Sequence, residues 1–258
     1  MRGRRPGAEG DPQRGRRRAD PGGHPSATAP ADTTAPAPAT APAARSPVVV
    51  LDPGHNGGNG GSRAVTRPVP DGRGGTKPCN TTGTATDAGY AEHAFNFDVA
   101  RRASALLTAR GVRVVLTRPD DNGVGPCVDE RGAAGERAGA DAVVSIHADG
   151  SAPAHRGFHV AYADPPLNAA QSGPARGLAA ALRDGLRDGG FAVSDYIGRA
   201  GLSPRADLAG LNLSTRPAAL VECANMRNLR EAALVSSPDG RARYAAAIAA
   251  GILAFLGR

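Results

Sequence analysis

Short apolar runs that end at polar residues constrain this chain more than any other feature. Residues 48–51 (VVVL) run into Asp52-Pro53-Gly54-His55, residues 142–146 run into His147, and residues 218–221 run into Glu222. Residues 112–116 form a fourth run. Segments of this length, β-branched and apolar at nearly every position, suit strands buried on both faces. A further strand is expected over 157–162. Helical patterns lie between the runs. Glu92 opens one in which Phe95, Val99, Ala103 and Leu106 recur at helical spacing, with Gly111 past its end. A short helix is expected over 128–138, and a longer one over 173–188 with Leu178, Leu182 and Leu186 on one face. A last helix, opened by Ser237-Pro238, turns Tyr244, Ile248, Ile252 and Phe255 inward. Strands alternating with helices predict an α/β fold: a single domain over 47–258, with a largely parallel twisted sheet and helices on both faces.

Composition bounds the rest. Residues 1–46 are rich in Ala, Pro, Thr, Arg and Gly and hold almost no large apolar side chain. Such a segment cannot bury enough surface to offset its ordering entropy, so it is expected to be a disordered tail. Its eight arginines against four carboxylates supply much of the net charge of +7. A basic tail can touch an anionic polymer, but no aromatic-plus-basic platform or reader motif points to nucleic acid. The tail has paired arginines without an apolar core segment, so it does not read as a signal peptide. No stretch approaches the ~18 apolar residues of a membrane span. Tryptophan is absent and aromatics make up 3%, which predicts a core of Ala, Val and Leu. Cys79, Cys127 and Cys223 form no CxxC pair, so a structural zinc knuckle is not indicated. Two of the three could form a disulfide, which would imply an oxidising compartment.

Open α/β sheets bind ligands at the carboxyl ends of their strands. His55, His147 and Glu222 are therefore expected on one edge. The Gly-, Thr- and Pro-rich stretch 56–91, a long loop or loose hairpin, could return Glu92 to the same edge. Two imidazoles and one carboxylate are the ligand count of a catalytic zinc site, with a position left for water. A second carboxylate beside such a site can act as general base. His159 alternates with Phe158 and Val160 and could reach the cleft. Asp149 could orient a ligand or merely form a turn before Gly150. Asp52 is expected to support the His55 turn, and Arg131 and Arg137 to serve helix-surface packing or ion pairs.

The strings LDPGHNGG, AEHAFNFDVA, VVSIHADG and ALVECANMRN occur in this order. Together they resemble the zinc-dependent N-acetylmuramoyl-L-alanine amidases of the amidase-3 type. The likeness spans about residues 47–258. The segments PVPDGRGGTKPC, GPCVDERG, FHVAY and DLAGLNL resemble the compact mycobacterial and actinobacterial members. The resemblance implies that His55, Glu92 and His147 bind zinc and that Glu222 is the catalytic glutamate. It implies hydrolysis of the amide between N-acetylmuramic acid and L-alanine in peptidoglycan or its muropeptide fragments. It further implies a Cys79–Cys127 disulfide, with Cys223 unpaired and buried, and an extracytoplasmic enzyme. A monomer with an open site is expected, because no long helix is inserted between Glu92 and His147. The chain departs from the family pattern at Asn56, where Gly is frequent, and at His93, which thereby becomes a rival ligand. Cys223 and the Ala224-Asn225-Met226 continuation also differ. The alternatives are a zinc peptidase acting on the stem peptide and a non-catalytic wall-binding module.

Overall fold

The apolar runs become the centre of a six-stranded sheet. The structure is a computed structural model that describes residues 45–258. The tail expected over 1–46 lies outside the described residues except for its last two positions. In chain order the strands are β1 (Val48–Pro53), β2 (Pro68–Pro70), β3 (Thr76–Pro78), β4 (Arg113–Leu116), β5 (Ala142–Asp149), β6 (His159–Ala163), β7 (Leu202–Arg205) and β8 (Ala218–Asn225). The helices are α1 (Glu92–Thr108), α2 (Val128–Ala138), α3 (Ala169–Ser172), α4 (Pro174–Asp188), α5 (Ala209–Asn212), α6 (Leu229–Ser236) and α7 (Pro238–Phe255).

The main sheet has the order β4-β1-β5-β8-β6-β7. Strands β4, β1, β5 and β8 are mutually parallel. Strand β6 runs antiparallel to β8, and β7 runs parallel to β6. The sheet is thus largely parallel, with two reversed strands at one edge. Side chains alternate between its two faces. Val49, Leu51, Val144, Ile146, Val160 and Val221 pack on one face with Phe95 and Val99 of α1, Leu178 and Leu182 of α4 and Ile248 of α7. Val48, Val50, Val143, Ala161 and Ala218 pack on the other with Ala134 of α2 and Leu211 of α5. Burial on both faces is why these strands carry no polar alternation.

Three sequence expectations are refined. The few aromatics are not spread thinly: Phe191 stacks on Tyr244 at 3.9 Å between ring centroids, and Phe95 meets the same ring edge-on at 5.6 Å. The stretch 56–91 contains a small hairpin, β2 paired with β3. On α1 the buried seam is Phe95, Val99, Ala103 and Leu107, whereas Leu106 is 44% exposed. The helix docks through its i, i+4 row, which carries Leu107 rather than Leu106 towards the core. Cys79 and Cys127 are joined in a disulfide across 48 residues, and Cys223 is free and buried. No helix among the described residues is long and apolar enough to cross a membrane.

The seam assignment is testable. Leu107→Ala should lower unfolding stability by about 2–5 kcal/mol, the usual range for a buried Leu. Leu106→Ala should change it by less than about 0.5 kcal/mol. Urea denaturation of both variants checks the difference, and equal losses would refute the seam.

Candidate functional site

The site is assembled at the carboxyl ends of β1, β5 and β8. His55 follows β1 by two residues and has φ +59, a left-handed backbone that a residue with a side chain seldom adopts. That turn aims its ring back over the sheet edge. The carbonyl of Thr81 accepts the His55 Nδ1 proton at 2.9 Å, so in the neutral ring Nε2 is the bare nitrogen. Nε2 lies 3.2 Å from Oε1 of Glu92. His147, near the end of β5, brings Nδ1 to 3.0 Å from the same oxygen. The two imidazoles stand nearly perpendicular, 4.8 Å apart. One ligand atom from each of His55, Glu92 and His147 can be chosen so that all lie within 4.8 Å of one another.

Glu92 is the first residue of α1 and is almost wholly buried. A carboxylate is favoured there by the helix N-terminus. The backbone amides of Thr84 and Ala148 and the side-chain amide of Asn96 donate to its oxygens at 2.9, 3.2 and 3.3 Å. Burial alone would raise its pKa, but His147 and His55 outweigh that and hold it well below the usual carboxylate range. Burial likewise opposes protonation of His55, yet Glu92 and the Thr81 carbonyl raise its pKa. Two glycines make the approach feasible. A Cβ on Gly54 would sit 2.1 Å from the His147 ring, and one on Gly83 would sit 2.7 Å from Glu92 Oε2.

Glu222 is paired with His147 in the β5–β8 register, on the same face of the sheet. Its Oε2 is buried without a hydrogen-bond partner. Burial, reinforced by the negative charges of Glu92 and Asp149, pushes its pKa well above the ordinary carboxylate value. His55, His147 and Glu222 border a cavity of about 280 Å³ that continues along the sheet beneath α5, past Leu208, Leu211 and Leu220. The donor set of two imidazoles and one anionic carboxylate, facing an open cleft, fits a divalent zinc-like ion.

The turn that carries His55 is held by two buried arginines. Arg131 donates to Asp52 Oδ1 at 2.7 Å, to the Pro53 carbonyl at 2.8 Å and to the His55 carbonyl at 2.9 Å. Arg118 donates to the Pro53 carbonyl at 2.9 Å and to the Gly54 carbonyl at 3.3 Å. Asp52 also accepts hydroxyl protons from Thr117 at 2.6 Å and Ser145 at 2.7 Å. Its burial is offset chiefly by Arg131, and its pKa is lowered. Asp52 therefore supports the turn as the sequence suggested.

For Arg131 the ion-pair alternative holds, with Asp52 as partner, and the pair is buried under the turn rather than spread on a helix surface. Arg137 is exposed and caps the Glu130 carbonyl. His93 is excluded from the convergent set, since its Nδ1 pairs with Asp121 at 2.7 Å. Asp149 forms the expected turn, its Oδ1 accepting the Gly150 amide at 2.7 Å, and its Oδ2 accepts the Tyr196 hydroxyl at 3.1 Å. His159 is buried, 1% exposed, directly across from Glu222. Asn56 is buried too, and its Oδ1 receives the Gly57 amide. Thr81, Thr84, Asn96 and Arg118 were missed by sequence reasoning. Only the Arg in LTRPDD, just after a strand, offered any signal.

Comparison with known proteins identifies the family and the fold. The N-acetylmuramoyl-L-alanine amidase family, Amidase_3, matches residues 49–254. An N-acetylmuramoyl-L-alanine amidase of Mycobacterium tuberculosis, Rv3717, is 49% identical over 209 residues, 81% of this chain and 86% of that protein. The crystal structure of the amidase Ami1 from Mycobacterium smegmatis matches with TM-score 0.81 and 54% identity, covering 83% of this chain and 98% of that one. Ami1 from Mycobacterium abscessus in its apo form matches with TM-score 0.80 and 49% identity, covering 83% of this chain and all of that one (100%).

Removing one partner of a buried ion pair leaves the other charge uncompensated, which costs about 3–5 kcal/mol. Arg131→Met should therefore destabilise the fold by about that amount, and adding Asp52→Asn should restore part of it. Urea melts of the single and double variants test this; an unaffected single variant would remove the arginine from its assigned role.

Proposed function

We propose, for a chain that belongs to the N-acetylmuramoyl-L-alanine amidase family, that His55, Glu92 and His147 hold a zinc ion and that Glu222 moves the proton during hydrolysis. The bond cut is the amide between the lactyl group of N-acetylmuramic acid and L-alanine, in peptidoglycan or its fragments. The observation that carries this reading is the convergence of two imidazoles on one anionic carboxylate, beside a second carboxyl that has an oxygen without a partner. Zinc bound by the first three residues would make water acidic near neutrality and draw charge from the amide carbonyl.

The chain's own residues do the rest. Thr81 fixes the tautomer of His55, so that its bare nitrogen faces Glu92. Glu92 stays ionised because its buried carboxylate collects donors on both oxygens. Glu222 accepts a proton from the attacking water as the new C–O bond forms. It then delivers that proton to the alanine nitrogen as the C–N bond breaks. A site in which burial and neighbouring carboxylates disfavour the charged form makes the ionised Glu222 a stronger base than an exposed glutamate. The cavity leading away from Glu222 leaves room for a substituent of the substrate.

We place the enzyme outside the cytoplasm. The wall substrate lies there, and the Cys79–Cys127 bond suits an oxidising compartment. The folded unit over 47–258 would act as a monomer, since every group invoked comes from one chain.

Zinc-loaded protein incubated with muramyl dipeptide and with sacculi should release free lactyl-sugar and intact stem peptides, read by mass spectrometry. Shortened stems would indicate a peptidase instead. Chelation should abolish activity, and zinc should restore it. Glu222→Gln should cut kcat by about 10²–10⁴-fold while zinc still binds. A Glu222→Gln enzyme with undiminished kcat would overturn the mechanism.

A further inference from the structure

Two buried polar atoms without partners lie on residues that face each other across the sheet. His159 opens β6 and is the direct register partner of Glu222 on the antiparallel β8. Directly opposed residues of an antiparallel pair point to the same face, with Cβ atoms about 4.5–5.5 Å apart. That face is the cleft side: Ala161 and Ala163, in step with His159, pack with Leu211 of α5, while Val160 packs on the opposite face. His159 is 1% exposed, and its Nδ1 has no hydrogen-bond partner. Glu222 Oε2 is in the same condition. Buried side-chain nitrogens and oxygens nearly always find partners, and exceptions cluster where chemistry needs them.

The neighbours of His159 leave little else for it to bind. Tyr196 presents its ring edge-on, 6.2 Å between centroids, and its hydroxyl is committed to Asp149. Arg205 is paired with Asp207 by two hydrogen bonds. Burial lowers the His159 pKa to about 4, so the imidazole is neutral at working pH and carries one N–H.

We propose that His159 is a positioning residue for Glu222: its Nδ1–H donates to the Glu222 carboxylate and turns the other carboxylate oxygen towards the cleft. This rests on the reading of Glu222 as the proton carrier. The hydrogen bond favours the ionised form against the repulsion of Glu92 and Asp149, which lie on the same edge. No net charge is added, because the donor is a neutral ring. The two residues need only side-chain rotation to meet, since the strand register already opposes them.

The test separates the atom from the fold. An asparagine amide reaches about as far as the histidine Nδ1, whereas a glutamine amide reaches about as far as Nε2. His159→Asn should retain kcat. His159→Gln and His159→Phe should lose about 10–100-fold in kcat, the usual cost of removing a supporting partner. KM and zinc affinity, the latter measured by chelator competition, should stay unchanged. If His159→Phe does not fold, the Asn and Gln variants decide the matter alone. Equal activity of Asn and Gln variants, full activity of the Phe variant, or a loss explained by zinc affinity would overturn the proposal. Glu222→Gln is run alongside. If that enzyme keeps its activity, the parent reading fails, and the failure is distinguishable from that of His159.

Discussion

The buried Arg131–Asp52 ion pair is the interaction on which the candidate site depends. Asp52 is the next-to-last residue of a strand whose other residues are apolar, and it is buried. Arg131 neutralises it and in the same gesture takes up the carbonyls of Pro53 and His55. A guanidinium can do this because its planar fork offers several donors in fixed directions, which an ammonium group does not. The two carbonyls bracket the one non-glycine turn residue in the site held at positive φ. An unsupported residue there would relax to a commoner backbone geometry and swing the imidazole away. The arginine thus converts helix packing into a fixed ring position.

The disulfide reinforces the same arrangement from the other side. Cys127 precedes α2, four residues before Arg131, and Cys79 ends the hairpin segment, two residues before Thr81. The amide of Val128 donates to the Cys79 carbonyl at 2.8 Å. Backbone support of His55 by Arg131 and tautomer support by Thr81 therefore start from one covalent junction. This explains how a Gly- and Thr-rich stretch, weak in apolar contacts, still presents a carbonyl at hydrogen-bond distance. It also explains why two segments far apart in sequence can serve one side chain.

Much of this was legible in the sequence, and the pattern of what was not is physical. Apolar runs report burial on both faces, and a polar residue at the end of such a run must lie at the sheet edge. That groups His55, His147 and Glu222, whereas Glu92 enters the set through the family resemblance, with the loop before its helix able to return it to that edge. Long-range partners leave no such trace. Thr81, Thr84 and Asn96 act through single hydrogen bonds set by tertiary geometry, and no periodicity marks them. An ion pair was expected for Arg131, but its burial was not legible because its short helix is mostly polar, so the buried face is carried by Gly, Ala and the arginine itself. Strand β7 was not expected at all, and the reversal of β6 was hidden for a related reason. Strand direction follows from connection geometry, and the apolar texture of a strand is the same either way.

The charge balance of the cleft argues for a bound cation independently of the donor count. Glu92, Glu222, Asp149 and Asp52 all crowd one sheet edge, and Arg131 is already committed to Asp52. Arg118 is turned to Asp121 and to backbone carbonyls. Glu92 is then left with the His55 and His147 imidazoles as its neighbours at hydrogen-bond distance. In that state Glu92 draws His55 towards its protonated form, and burial with the neighbouring carboxylates draws Glu222 towards its neutral one. A divalent ion at the imidazole–carboxylate junction would relieve both at once: it would take the place of a proton on His55 and lower the cost of an ionised Glu222 nearby. The same crowding of carboxylates that favours protons on His55 and Glu222 would favour a metal ion, whose binding would release them.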